Sequence, residues 1–288
     1  MKRMNAAGLF LCIAAGCLWA DATYTETTKY TGGTLIEMTQ RMASNPILGR
    51  LAGGRLQSAF QDQTSTVFVK GAKMARVGQA TTTIFDLDAG TVTNVNNEKR
   101  TYSVETFEEM RQRMEKMEQR TNRNGGGELE FDVKVTKTGQ TRSIKEQTAS
   151  ETVMTLTAKS SGSQGQMVVK VDTWLVPSTS VSKELLDYQR KLAEKFAYAF
   201  GGAPSLGPAM GGMSAAMKEM RKLDGYPVLS DISVSGVSSP MAAMGGGGGD
   251  PNAPLIAMET QVDNITSGSI DDAKLAVPAG FKQEKPRR

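Results

Sequence analysis

The sequence predicts an α+β protein, in which one antiparallel β-sheet carries two or three amphipathic helices. Three observations predict this class. Short apolar runs alternate with turn residues throughout 66–104, which is typical of a β-meander. Segment 128–135 alternates apolar and charged residues, as a strand with one solvated face does. Segments 105–120 and 182–200 repeat apolar residues at helical spacing.

The meander is predicted from its turns. Glycine, asparagine and aspartate occur where a tight turn needs a positive φ or a side chain that caps its own backbone. These turn residues are Lys70-Gly71, Asp88-Ala89-Gly90 and Asn96 to Lys99. The strands predicted between them are 66–69, 74–77, 81–87, 91–95 and 100–104.

The helix over 105–120 has the strongest helical pattern in the chain. Its apolar face carries Phe107, Met110, Met114 and Met117. Two ion pairs are predicted at i,i+4 spacing, Glu109 with Arg113 and Arg111 with Glu115. The second helix is predicted to begin at an N-cap, Ser182, and to carry Leu185, Tyr188, Leu192, Phe196 and Ala199 on one face.

The rest of the chain is mostly predicted as strands. An opening strand pair turns at Gly32-Gly33 within 23–40, with Tyr24, Tyr30, Leu35 and Ile36 facing inward. A weak helix is predicted over 47–60, and a turn at 137–140. The later predicted strands are 152–158, 166–176, 228–237, 255–265 and 269–277, followed by a frayed basic tail at 282–288.

Two low-complexity Gly/Met/Pro segments, 201–212 and 239–254, are predicted as loops within one domain, because β-patterned sequence follows them. A short helix over 213–223 lies between them. Its three methionines, Met213, Met217 and Met220, share one helical face, as core packing or a soft lid over a ligand requires. A Cu(I) site is the alternative interpretation, formed by these thioethers together with those of Met210, Met241 and Met244.

The first 22 residues predict a secretory signal peptide. Lys2 and Arg3 precede an uncharged apolar run, and Ala20-Asp21-Ala22 is a small-x-small cleavage site. Cleavage after Ala22 leaves 23–288 as a single β-rich domain, periplasmic or secreted. The alternative is cleavage before Cys17 in the lipobox-like Ala14-Ala15-Gly16-Cys17, which gives an acylated outer-membrane lipoprotein. Membrane association is expected only in that case.

Composition excludes several chemistries. The chain has no histidine, and both cysteines, Cys12 and Cys17, lie inside the leader. This removes the commonest general base, the commonest metal ligand and any cysteine nucleophile. The net charge is +4, with the basic residues scattered among acidic ones, so nucleic-acid binding is not expected. No cofactor is expected.

Two motifs have both a catalytic and a structural interpretation, and two more fall short of a catalytic or phosphate-binding pattern. Asp86 and Asp88 point to one side of a strand end, where they either share a proton or cation or form an Asx turn; the turn is favoured. Ser180-Val181-Ser182-Lys183 matches S-x-x-K, but a capping serine and a solvated lysine are favoured over a Ser–Lys dyad. Ala203 to Gly207 is one glycine short of a nucleophile elbow, and the glycine run 245–249 has no following lysine for a phosphate loop.

Short motifs in sequence order resemble an uncharacterised family of exported bacterial domains, a domain of unknown function. The motifs are Val67-Phe68-Val69-Lys70-Gly71, Ile84-x-Asp86-Leu87-Asp88-x-Gly90, Glu98 to Tyr102, Trp174 to Pro177, Gly225 to Val228 and Val277 to Phe281. That family is similar in fold to periplasmic outer-membrane lipoprotein carriers and lipoprotein-localisation proteins. The resemblance implies a strongly curved sheet, an open half-barrel, whose concave face holds the helices and an apolar cavity.

The function expected on these grounds is that of a non-enzymatic envelope protein that binds an apolar ligand, an acyl chain or lipoprotein anchor, between sheet and helices. The expected lining residues are Phe107, Met110, Met114, Met117, Leu192, Phe196, Met213, Met217 and Met220. The alternative is a structural or protein-interaction module of the envelope whose core is filled and holds no ligand. A hydrolase that uses Ser180 and Lys183, or Asp86 and Asp88, is the third hypothesis.

Overall fold

The computed structural model describes residues 21–44, 60–123, 129–160, 166–201, 219, 223, 225–236 and 253–286. Within them, twelve strands form one open sheet in the order β12-β6-β5-β4-β3-β2-β1-β11-β10-β9-β8-β7. The strands are β1 (Ala22–Gly32), β2 (Gln63–Lys70), β3 (Lys73–Gly78), β4 (Thr81–Asp86), β5 (Thr91–Asn96), β6 (Thr101–Thr106), β7 (Leu129–Ile144), β8 (Gln147–Ser160), β9 (Gln166–Val176), β10 (Tyr226–Ser235), β11 (Ile256–Ser267) and β12 (Lys282–Gln283). The helices are α1 (Thr34–Ser44), α2 (Phe107–Arg123) and α3 (Ser180–Gly201).

The predicted meander is confirmed as β2 to β6, each strand antiparallel to the next. In two of its turns, an Asp or Asn side chain accepts hydrogen bonds from backbone N–H groups, as predicted. The side-chain oxygen Oδ1 of Asp86 accepts hydrogen bonds from the backbone N–H of Asp88 at 3.1 Å and of Ala89 at 2.9 Å. Asn96 accepts one from the N–H of Lys99 at 2.7 Å. The Asx-turn interpretation of Asp86 and Asp88 is therefore confirmed.

The predicted opening strand pair is wrong in its second half. β1 ends at Gly32, and α1 follows instead of a returning strand. The carbonyl of Gly33 accepts hydrogen bonds from the N–H groups of Ile36 at 3.0 Å and Glu37 at 3.1 Å. The residues of α1 are mostly Leu, Met, Glu, Gln and Arg, whose helix propensity outweighs the turn signal of the two glycines.

The predicted turn at 137–140 is also wrong, because β7 runs through it as far as Ile144. The ladder with β8 shifts register between Lys137 and Thr141, so these turn-like residues form a bulge. The chain reverses after Ile144 instead, at Lys145 and Glu146, whose φ angles are 48° and 66°.

The end of the chain covers the meander rather than extending the sheet as predicted. In place of a strand over 269–277 there is a 3-10 helix, Asp272–Leu275, whose first turn is capped by Asp271. Ile270 and Leu275 are buried against residues of β3, β4 and β5, namely Ala75, Ile84 and Val95. The predicted tail contains β12, which pairs parallel with β6, so the sheet is mixed and not purely antiparallel.

Both long helices are confirmed, and the N-cap of the second differs from the predicted one. Thr106 and Glu109 form a capping box at α2: Glu109 accepts the N–H of Thr106 at 2.8 Å, and the Thr106 hydroxyl accepts the N–H of Glu109 at 3.1 Å. Because Glu109 is used in this cap, Arg113 pairs with Glu105 instead. The predicted pair of Arg111 with Glu115 is present.

Helix α3 begins one turn earlier than predicted, so Ser182 is not its N-cap. Thr179 takes that role: its hydroxyl accepts the N–H of Ser182 at 3.2 Å, and the Ser182 hydroxyl accepts the N–H of Thr179 at 2.7 Å. Leu185 and Tyr188, on the predicted face of α3, are buried in one cluster with Tyr24 of β1. The predicted helix over 47–60 lies outside the described residues except for Phe60. The predicted helix over 213–223 lies outside them except for residues 219 and 223.

Candidate apolar binding face

The expected lining residues lie in three kinds of position. Phe107 is buried in the main core, and Met110 and Leu192 pack against it. Met114 and Met117 lie in α2 and Phe196 in α3, but their side chains are outside the described part of the structure, as are Met213, Met217 and Met220 entirely. This lining therefore stays a prediction.

The register of strands β7 to β11 brings together an apolar surface. Residues directly opposite each other in antiparallel strands share a face of the sheet. One row across the sheet is Val133, Leu156, Val169, Val234 and Ile256. The next row, two residues along each strand, is Val135, Met154, Val171, Ile232, Met258 and, in β1, Tyr30. We call these two rows the apolar face.

Every residue of the apolar face is half-buried. Further along the same side of the sheet the core is closed: Val67 is 0% exposed and Tyr24 6%, in one cluster with α3 residues. Soluble proteins rarely expose large contiguous apolar surface without a partner for it. The apolar face is thus a contiguous set of partly exposed apolar side chains on the described sheet, and a candidate binding surface.

The opposite side of the same strands is polar. It carries Lys134, Lys170, Asp172, Asp231, Glu259 and Lys29 in the registers that alternate with the apolar rows. Lys170 and Asp172 form an ion pair at 2.8 Å. Strands β7 to β11 therefore place charged side chains on the side opposite the apolar face, although Val153 of β8 also lies on that charged side.

A row of hydroxyl groups borders the apolar face on the side nearer the main core. It consists of Thr152, Thr173, Ser230, Thr260 and Thr28. The hydroxyl oxygens of Thr173 and Ser230 are 3.4 Å apart, and those of Thr28 and Thr260 are 3.2 Å apart. The sheet thus changes from apolar to hydrogen-bonding side chains within one step along each strand.

Charged and phenolic groups lie beyond the hydroxyl row, on β1, β3 and α3. Arg76 forms an ion pair with Glu26 at 3.0 Å. Burial raises the pKa of Tyr24 to about 12, assisted by the negative charge of Glu26. The hydroxyl of Tyr188, in α3, is buried and has no hydrogen-bond partner among the described residues. One side of the sheet therefore passes from apolar rows through hydroxyls to an ion pair.

The structure also has a surface cleft of about 660 Å³ between the meander and α3. It is lined by Gly71, Ala72, Leu87, Asp88, Lys191, Glu194 and Lys195. Of the expected lining residues whose side chains the structure describes, Phe107, Met110 and Leu192, none lines this cleft, and four of its seven described lining residues are charged. The cleft is a poorer match than the apolar face to an acyl chain.

The residues of the catalytic interpretations either have structural partners or are exposed to solvent. Asp86 pairs with Lys73 at 3.1 Å. Although burial acts to raise the pKa of Asp86, hydrogen bonds from Ala89 and Asp88 and the charge of Lys73 outweigh it and lower that pKa. Ser180 and Lys183 are both exposed on the first turn of α3. Among the described residues, no three acidic, histidine or cysteine side chains are placed to hold a metal ion.

The register between strands β7 and β11, which creates the apolar face, could not be predicted from the sequence. The alternation in β7 was visible, but β8 to β11 contain Thr, Ser and Val on both sides, so neither the rows nor their shared face could be read without the pairing. No known protein-family profile and no curated protein matches the chain. None of the described helices is both long enough and apolar enough to cross a membrane.

Proposed function

We propose that this chain is a non-enzymatic exported protein that binds an apolar ligand, an acyl chain or a lipoprotein anchor, between its sheet and its helices. The observation that carries the proposal is the half-buried apolar face on strands β7 to β11. In this proposal the sheet curves strongly as an open half-barrel, with the helices on the concave side that the apolar face lines.

The dimensions of the face suit an extended hydrocarbon chain. Five neighbouring strands at a spacing of about 4.8 Å give rows about 19 Å long. Removing a methylene group from water contributes about 0.8 kcal/mol, so contact along one row supplies the affinity of a lipid-binding site without any charged group. A ligand along this row would have the hydroxyl row beside its length, and a polar end at β1 would lie nearest Thr28 and the Glu26–Arg76 pair.

Titration of the delipidated protein with a fluorescent fatty acid tests the proposal, and saturable binding is expected. The double variant Val169→Thr/Val171→Thr places two hydroxyls in adjacent apolar rows while keeping β-branched side chains. Binding should weaken about tenfold or more, because a buried hydroxyl without a partner costs about 1–3 kcal/mol. The matched control is Val153→Thr, at a half-buried position on the charged side, which should leave the affinity unchanged.

Absence of saturable uptake would remove the ligand-binding proposal. The second candidate, a structural or interaction module of the envelope with a filled core, would then stand. One observation favours it: Phe107, Leu185 and Tyr188 already fill space against the sheet, at 6%, 2% and 2% exposure. Equal weakening by Val153→Thr and by the double variant would indicate loss of fold rather than loss of a site.

A further inference from the structure

The first residues of β1 belong to the folded core. Ala22 is 1% exposed, and it lies opposite Val69 of β2 and Ser267 of β11. It is part of the main apolar cluster together with Tyr24 and Val69. The cleavage predicted from the Ala20-Asp21-Ala22 motif would therefore remove the buried first residue of β1 from the rest of the strand.

Asp21 ties the start of β1 to the segment that covers the meander. Its backbone carbonyl accepts the N–H of Gly268 at 3.1 Å, and its carboxylate accepts the N–H of Ile270 at 2.8 Å. The carboxylate also lies 3.8 Å from the ammonium group of Lys70, and its side chain is 11% exposed. Lys70 in turn donates to the carbonyl of Ile270 at 2.8 Å and pairs with Asp272 at 2.8 Å.

Removal of Asp21 and Ala22 would leave several groups without partners. The N–H of Ile270 would lose its acceptor in a partly buried position, and Lys70 would lose one of its two carboxylates. A charged α-amino group at Thr23 would replace the buried Ala22 between β2 and β11. Unpaired buried polar groups and charges are destabilising, so each of these changes acts against the fold.

We propose that proteolytic processing occurs upstream of Asp21, so that the mature chain keeps Asp21 and Ala22 as the first residues of its sheet. The reaction is hydrolysis of one peptide bond by an exported-protein signal peptidase. One water is consumed, the leader keeps the new carboxylate, and the mature chain keeps the new amino group. This inference rests on the export that is part of the proposed function, but not on ligand binding.

Intact mass of the protein made from its full-length gene in a bacterial host, in both periplasmic and membrane fractions, tests the inference. A first residue anywhere from Cys17 to Asp21 supports it, and added acyl mass on Cys17 would identify the lipoprotein route. A first residue at Ala22, Thr23 or later overturns it. A chain that keeps Met1 overturns both processing and export. The ligand-binding proposal is tested separately, by titration with the fatty acid.

The variant Ala22→Asp gives a second measurement that does not depend on folding. A signal peptidase requires a small residue immediately before the cut, so cleavage after Ala22 would be blocked by this substitution. The expected result is an unchanged first residue in the variant. Accumulation of the uncleaved chain, or a displaced cut, would overturn the inference. Once Ala22→Asp has shown an unchanged start, Ala20→Asp separates the two upstream routes, because it removes the small residue before a cut after Ala20 and leaves a cut before Cys17 intact.

Discussion

At the scale of single residues, Asp231 shows a conflict that the register of the sheet creates. It lies directly opposite Glu259 on one side and Asp172 on the other. Desolvation raises the pKa of Asp231 and the charge of Glu259 raises it further, while Arg142 acts in the opposite direction. Like charges directly opposite each other in a sheet are destabilising, so the position of Asp231 between two acidic residues acts against the fold.

The substitution Asp231→Asn should therefore stabilise the protein at neutral pH. A carboxyl group whose folded-state pKa is raised favours folding fully only below its unfolded pKa, and loses that contribution as pH rises through the folded value. At pH 7 the variant should be more stable by about 0.2–1 kcal/mol; near pH 3 the difference should vanish. Urea denaturation at both pH values measures this difference.

The control for that measurement is Asp132→Asn, an exposed aspartate on the same side of the sheet in β7. It has no carboxylate directly opposite, because its partner in β8 is Thr157. A gain in stability equal to that of Asp231→Asn would show a general effect of net charge. A loss of stability in Asp231→Asn at pH 7 would contradict the argument.

At the scale of elements, the sequence predicted those strands and turns whose conformation depends on local residue types. Strands β2 to β6 were predictable because Asp86, Gly90 and Asn96 form turns through their own backbone preferences. The ends of helices were less predictable: Thr106 and Glu109 cap α2 through reciprocal bonds, although Glu109 fits an ion pair with Arg113 equally well on spacing alone.

The errors arose where turn-like or strand-like residues take another role in the tertiary structure. Gly139 has a φ of +78°, as a turn residue would, but it lies in a bulge of a continuing strand. Leu35 and Ile36 follow a glycine pair as in a hairpin, yet the segment is helical. The apolar face depends on the pairing of five strands, which no single segment encodes.

Gly225, just before β10, allows a test at this scale. Its φ is +110°, and a Cβ atom there would lie 2.6 Å from the carbonyl oxygen of Val176. Gly139 also has a positive φ, but its Cβ would meet nothing within 4 Å. Gly139→Ala should therefore cost about 1–2 kcal/mol for the backbone conformation alone. Gly225→Ala should lower the free energy of unfolding by clearly more, because the backbone at Val176 must also move away from the new Cβ atom.

Chemical denaturation of the two alanine variants measures the difference. The unfolding slope with denaturant should remain that of the parent protein, since neither change alters the surface exposed on unfolding. Equal losses at Gly225 and Gly139 would mean that the close approach to Val176 is relieved without cost. That result would show that the junction between β9 and β10 is adaptable.

At the scale of the whole molecule, the sheet joins the two ends of the chain. β1 lies between β2 and β11, so that the first strand pairs with the last long one. The segment after β11 then crosses the other side of the meander and ends in β12 beside β6. Strands β1 to β11 follow from sequence patterns, but this closure by non-local pairing does not, because it depends on contacts between residues more than 200 positions apart.

The C-terminal segment should therefore be essential for stability and not a frayed tail. The N–H groups of Lys282 and Glu284 donate to the carbonyls of Arg100 at 3.0 Å and Tyr102 at 2.7 Å. Deleting residues 268–288 removes the buried side chains of Ile270 and Leu275 and exposes those of β3 to β5. At about 1.5–3 kcal/mol for each buried aliphatic side chain, the loss should be about 3–6 kcal/mol.

The matched control is deletion of residues 285–288 alone, which leaves the hydrogen bond of Glu284 and every buried residue of this segment in place. Thermal unfolding of the two truncated proteins should show the longer deletion melting far below the parent and the shorter one melting with it. If the longer deletion melted at the same temperature as the parent, packing of Ile270 and Leu275 against β3 to β5 would contribute nothing to stability. The meander would then fold without its C-terminal cover.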